Sequence, residues 1–275
     1  MENNSKDKFE QWLFTTLHSP GAFDDKTAQQ CFLNDFNEAQ ALLKEFSNIK
    51  QSMPTFKTFD DLELRFWLLE KQENKKIKIL LHGSGSNFCK AKRAIFLLER
   101  GFNVAMISYR GHSGNSGKAS QELIINDVKA AINCIKHHGY ANAQMCFEAS
   151  SLGTCVLAHV LTDLQEKNND CFASLILKAA PLNLMHQDSF ISLENYGLHL
   201  AQAKNFLEKI WNQELIYKKL KVQKILLVHG VDDLVVPIED SKKIYALLKP
   251  NNPYLELKII ENAGHRLQLE DYDLY

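Results

Sequence analysis

The stretch Ala143-Gln-Met-Cys-Phe-Glu-Ala-Ser-Ser-Leu-Gly-Thr-Cys-Val-Leu-Ala-His159 decides how the rest of the chain is read. A short apolar run, Met145 to Phe147, stops at a cluster of small residues. Leu152, Val156, Leu157 and Val160 then recur at helical spacing. This pattern predicts a strand, a sharp turn and a helix, with a serine at the corner. It fits a G-x-S-x-G turn, with Ala149 in the first glycine position, Ser151 in the middle and Gly153 last. At such a corner the strand and helix backbones nearly touch, so the residues two before and two after the serine must be small. That requirement separates the two adjacent serines. Ser151 lies between Ala149 and Gly153, whereas Ser150 would lie between Glu148 and Leu152, both too bulky. Ser151 is the candidate nucleophile, and a plain helix N-cap serine is the other reading of the same residues.

Outward from this corner, strand and helix patterns alternate. On the N-terminal side, Phe56 to Phe59, an Asp60-Asp61 turn, and Leu62, Leu64, Phe66 and Leu68 read as a β-hairpin. Ile77 to Leu81 is a short apolar strand of the kind found inside a sheet covered on both faces. A helix follows over Cys89 to Glu99, a strand over Asn103 to Ile107, and a helix from about Gln121 to Lys136. On the C-terminal side come a strand over Ala173 to Leu177, a strand over Ile225 to Val228, a helix from about Glu239 to Leu248 and a strand over Leu255 to Ile260. The alternation predicts an α/β fold, a mostly parallel central sheet with helices on both faces.

Two segments lie outside this rhythm. Residues 1–52 read as an N-terminal helical extension. There Phe9, Trp12, Leu13 and Leu17, then Ala28, Phe32, Phe36, Ala39, Leu43 and Phe46, recur at helical spacing and are expected to pack on the core. Residues 183–220 interrupt the alternation with apolar, aromatic-rich helical patterns and read as a small helical cap. The core is assigned to residues 53–182 and 221–275.

Composition narrows the class. A formal net charge of −1 over 275 residues gives no field that would steer the protein to nucleic acid. Six scattered cysteines without a C-x-x-C pair suit reduced thiols better than a disulfide framework or a zinc site. Residues 1–8 are polar, no window reaches the length of a membrane span, and a soluble cytoplasmic protein is expected.

In sheets of this kind ligands collect at the carboxyl ends of strands, so the loops there carry the chemistry. After Leu81 comes His82-Gly83-Ser84-Gly85-Ser86-Asn87, whose small residues leave backbone amides open. Acyl transfer needs such donors for the negative oxygen of its tetrahedral intermediate; the amides of Ser84 and Leu152 are the candidates. This loop is no dinucleotide fingerprint, since Phe88 stands at the third glycine position. After Val228 comes His229-Gly230-Val231-Asp232-Asp233, where either aspartate could orient a histidine. After the last strand comes Asn262-Ala263-Gly264-His265, which places a histidine, the usual base for a serine, at the same edge. The chain order Ser151, aspartate, His265 is a recurrent triad order. His82 and His229 read as holding loop backbones, His112 as a possible lining residue, and Cys155 as packing.

From about residue 55 onward the chain resembles the α/β-hydrolase superfamily, most of all its single-domain serine esterase, thioesterase and lysophospholipase-like branch. The resemblance rests on Leu80-Leu81-His82-Gly83-Ser84-Gly85, Tyr109-Arg110-Gly111-His112-Ser113-Gly114-Asn115-Ser116, the Ser151 corner, His229-Gly230 through Pro237, and Gly264-His265. It implies Asp233 rather than Asp232 as the acid. The chain departs from the family pattern at Ala149, at Thr154 and at Ser108, where many relatives carry aspartate. The expectation is a serine hydrolase of esters or thioesters with small to medium acyl groups, needing no cofactor or metal. Acyl transfer or peptide cleavage on the same triad, and a non-catalytic binding module, are the alternatives.

Overall fold

The computed structural model describes residues 25–84, 86–183 and 212–267. The helical patterns read over residues 9–17 and over most of the cap lie outside the described residues. What is described is one mixed sheet in the order β1-β3-β5-β4-β6-β7-β8-β9, with β2 paired to β3 off that path. Strands β1 (Lys50–Ser52) and β2 (Thr55–Lys57) run antiparallel to β3 (Glu63–Glu70), and β3 runs antiparallel to β5 (Phe102–Ile107). From β5 the pairing is parallel through β4 (Lys76–Leu81), β6 (Met145–Ser150), β7 (Ser174–Lys178), β8 (Lys224–Gly230) and β9 (Leu255–Ile260). The predicted mostly parallel sheet is what the chain builds.

Helices cover both faces because the inner strands are buried on both sides. One face carries Phe66, Ile79, Phe147, Leu175 and Leu227, packed with residues of α3 (Gln121–His137), α4 (Leu152–Asn168), α5 (Gln213–Lys219) and α6 (Ile238–Leu248). The other carries Trp67, Leu69, Leu80, Val104 and Met106 under α1 (Asp25–Lys44) and α2 (Ala91–Glu99). In α1, Phe32, Ala39 and Leu43 turn inward, and the Phe36 ring lies 4.9 Å from that of Trp67. Residues 50–52, read from the sequence as part of the helical extension, instead form the edge strand β1. Lys50 there pairs with Glu70 of β3. Helix spacing cannot detect a strand of three residues whose partner lies twenty positions away.

Lys78 interrupts the apolar run of β4 and is fully buried. It points to the face of α2, where charges gather. Glu148 of β6 accepts hydrogen bonds from Arg93 of α2 at 2.5 Å and from Lys178 of β7 at 2.6 Å. Burial would raise the Glu148 carboxyl, but Lys178 and Arg93 outweigh it and hold the group down at about 2.

Candidate active site

Four strand ends set the site: β4 at Leu81, β6 at Ser150, β8 at Gly230 and β9 at Ile260. At the β6–α4 corner Ser151 has φ 50° and ψ −125°, a backbone conformation that only surrounding structure can hold. Ser151 donates its amide to the Lys178 carbonyl at 2.9 Å. Its own carbonyl accepts from the Thr154 amide at 2.8 Å and the Thr154 hydroxyl at 2.6 Å. Thr154, a departure from the family pattern, thus ties down the corner. The need for small neighbours is explicit here. A side chain on Gly153 would come within 2.7 Å of the His82 carbonyl and 2.9 Å of the Leu81 carbonyl. Ala149 is fully buried between Leu81 and Leu177.

The two aspartates of the β8 loop part company. Asp232 is exposed, while Asp233 is 8% exposed and turned inward. The Asp233 carboxylate accepts hydrogen bonds from the amides of Val235 and Val236 at 2.8 and 2.9 Å and from His265 Nδ1 at 2.8 Å. Burial pushes its pKa up. The hydrogen bonds from His265 and the Val236 and Val235 amides more than offset that, leaving the carboxyl below its ordinary value. His229, fully buried, places Nε2 2.9 Å from the Val236 carbonyl and 3.4 Å from Asp233 Oδ2, and Nδ1 2.6 Å from Ser241 Oγ. It holds the loop, as read, and also flanks the acid. Gly230 lies so close to the Ala263 carbonyl that no side chain fits, and the Asp232 amide donates to that carbonyl at 2.9 Å. The loop carrying the acid and the loop carrying His265 are thereby locked together.

The structure thus brings Asp233 and His265 together, and the parallel strands put the Ser151 corner at the same edge of the sheet. Among the described residues no hydrogen bond joins His265 to the Ser151 hydroxyl. Gly83 abuts the corner: a side chain there would meet Ser151 Cβ at 3.1 Å and Oγ at 3.7 Å. Among the described residues neither the Ser84 amide nor the Leu152 amide at the start of α4 has an acceptor. His112 is buried against the rings of His82 and Tyr109, each 5.5 Å away, and its Nδ1 contacts the Arg110 carbonyl at 3.2 Å. Cys155 is buried one turn along α4, and burial pushes its thiol up to about 12, so it is a packing residue.

Sequence reasoning passed over the contacts behind the β4 loop. Tyr109, fully buried, donates its hydroxyl to the His82 carbonyl at 2.8 Å. Arg110 holds the loop that follows in place through Asp127 and Asp60. The Tyr-Arg-Gly motif marked the segment, but no spacing rule says which groups two side chains fifty positions apart will meet.

A parallel sheet wrapped in helices, with a strained serine corner, an acid loop and a histidine loop at one edge, is the α/β-hydrolase fold. The chain belongs to the prolyl oligopeptidase family, whose model matches residues 89–275. It is similar to protein YfhR of Escherichia coli O157:H7, 26% identical over 61% of this chain and 56% of that one. It is also similar to human protein ABHD12B, 26% identical over 65% of this chain and 51% of that one. The chain spans only about half the length of these relatives. Among solved structures, an esterase of Pyrococcus furiosus superposes with a TM-score of 0.64 at 20% identity, covering 82% of this chain and 86% of that one. Oligopeptidase B of Leishmania major gives 0.60 at 15% identity, over 80% of this chain and 34% of that one. At these identities the superpositions speak for the fold.

Proposed function

We propose that this protein is a serine hydrolase that cleaves carboxylic ester or thioester bonds of small to medium acyl substrates through an acyl-enzyme. The 2.8 Å contact between His265 Nδ1 and Asp233, at the same sheet edge as the strained Ser151 corner, carries the reading. A carboxylate accepting from Nδ1 leaves Nε2 as the basic nitrogen and stabilises the imidazolium that forms. Ser151 Oγ attacks the acyl carbonyl carbon as His265 Nε2 takes its proton. The carbonyl oxygen becomes an oxyanion held by the Ser84 and Leu152 amides. Collapse breaks the bond to the leaving alcohol or thiol, to which His265 returns the proton. Water, deprotonated by His265, then attacks the acyl-enzyme and releases the carboxylic acid with Ser151 restored.

Membership of the prolyl oligopeptidase family favours a second reading, peptide-bond cleavage on the same residues. The two differ in the leaving group. Expression of the full chain and assay against esters, thioesters and short peptides of graded acyl size distinguishes them. Ser151→Ala is expected to lower turnover by on the order of a thousandfold or more and to abolish labelling by a fluorophosphonate. Full activity in Ser151→Ala protein, or wild-type protein that is folded yet inert to every substrate and to the probe, would overturn the proposal.

A further inference from the structure

Behind the β4 loop lies a chain of side chains with no part in the reaction just described. His82 is buried, with Nδ1 2.8 Å from the Gly83 carbonyl oxygen and Nε2 2.9 Å from Ser108 Oγ. Ser108, fully buried, lies 2.8 Å from the Ser113 hydroxyl, and Ser113 Oγ accepts the Phe88 amide at 3.4 Å. The chemistry of the Gly83 carbonyl fixes the place of one proton. A carbonyl only accepts, so His82 Nδ1 carries hydrogen and donates to Gly83. Nε2 is held by the Ser108 hydroxyl, which is held in turn by that of Ser113.

The consequence lies one peptide unit on. The Gly83 carbonyl and the Ser84 N–H belong to the same planar trans unit and point in opposite directions. Whatever grips that carbonyl from behind aims that N–H forward. A side chain on Gly83 would meet Ser151 Cβ at 3.1 Å, so this unit starts against the serine corner. Tyr109 holds the preceding carbonyl, that of His82, so two successive peptide planes are pinned from the protein side. Ser108 is where the chain departs from its family. An aspartate there would face His82 with a carboxylate; the serine faces it with a hydroxyl.

We propose that His82, turned by the Ser108–Ser113 hydroxyl pair, is a positioning residue that aims the Ser84 amide at the developing oxyanion. The inference rests on the serine-hydrolase reading. Its test compares His82→Ala, His82→Asn and Ser108→Ala with the wild-type full chain. The best ester substrate is used, together with a trifluoromethyl ketone analogue of it, which adds the nucleophilic serine to form a tetrahedral oxyanion. Asparagine keeps an N–H near the position of Nδ1, and alanine does not.

Losing a whole oxyanion donor costs about a hundred- to a thousandfold in kcat, and a misaimed one should cost less, about ten- to a hundredfold. In His82→Ala we expect that fall in kcat with KM little changed, and a matching loss of affinity for the ketone. His82→Asn should regain most of both, and Ser108→Ala should show a smaller loss of the same kind. A purely structural role would lower the folded fraction without parallel changes in kcat and ketone affinity per active site, as titrated with a fluorophosphonate. A loss confined to KM, ketone affinity unchanged in His82→Ala and Ser108→Ala, or no rescue by asparagine would overturn the inference. If His82→Ala does not fold, Ser108→Ala decides between the same outcomes. Wild-type protein without hydrolysis or labelling would instead overturn the reading on which the inference rests.

Discussion

Asp232 and Asp233 are neighbours of the same chemistry with opposite environments. Asp233 is enclosed, receives two backbone amides and holds His265, while Asp232 faces solvent and uses only its amide to grip the next loop. Under the proposed mechanism, Asp233→Asn puts a donor where His265 needs an acceptor, favouring the wrong tautomer. It should lower kcat by on the order of a thousandfold or more, with little loss of folding. Asp232→Asn should leave kcat within about twofold, as expected for an exposed side chain with no partner role. Steady-state kinetics on the two variants read this directly. A large loss in Asp232→Asn with an active Asp233→Asn would reverse the assignment.

At the scale of elements, α1 closes the second face of the sheet rather than standing apart from it. Leu43 is wholly buried in the same cluster as Trp67, Ala94 and Leu97, and Phe32 meets Phe88 edge-on at 5.4 Å. Phe88 lies in the loop that carries Ser84, so α1 also supports one arm of the candidate site. Leu43→Ala deletes buried methyl groups and leaves a void, which costs about 2–5 kcal/mol. Urea unfolding should show that loss, while kcat per folded molecule stays near the wild-type value. A Leu43→Ala protein as stable as wild type would mean that the helix is not held where the structure places it.

At the scale of the whole molecule, acid should find the charge cluster under the serine corner. The Glu148 pKa is depressed by Lys178 and Arg93, from an ordinary value of 4.5 to about 2. A group with a lowered folded pKa favours folding above its unfolded value and loses that contribution as pH falls through the folded one. The stabilisation from this carboxylate is therefore full above about pH 4.5 and drains away toward about pH 2. At neutral pH, Glu148→Gln leaves two cations without their buried anion and should cost about 3–5 kcal/mol. The stability gap between wild type and Glu148→Gln should then narrow steadily below about pH 4.5, as measured by denaturant unfolding across pH. A gap that stays constant down to pH 2 would show that the carboxylate is not the acid-sensitive group.

The order of strands and helices, the Ser151 corner and the loops that carry Ser84, the aspartates and His265 were legible in the sequence by itself. Each depends on short-range rules: hydrophobic period, the space a sharp turn leaves, and small residues after a strand. Where short-range rules ended, the reading stopped or slipped. Residues 50–52 became a strand because β3 offers them hydrogen bonds, which helical spacing cannot foresee. Lys78 lies fully buried within a strand, a placement no hydrophobic period foretells, on the face where Glu148 also lies. Spacing left Asp232 and Asp233 equal and only the family resemblance favoured Asp233; the folded chain turns Asp233 to His265 and puts His82 on the Gly83 carbonyl. Such choices turn on which side chains, tens of positions apart, come within three or four ångströms of each other. Distances of that kind are set by the packing of the whole sheet and its helices, and no local pattern contains them.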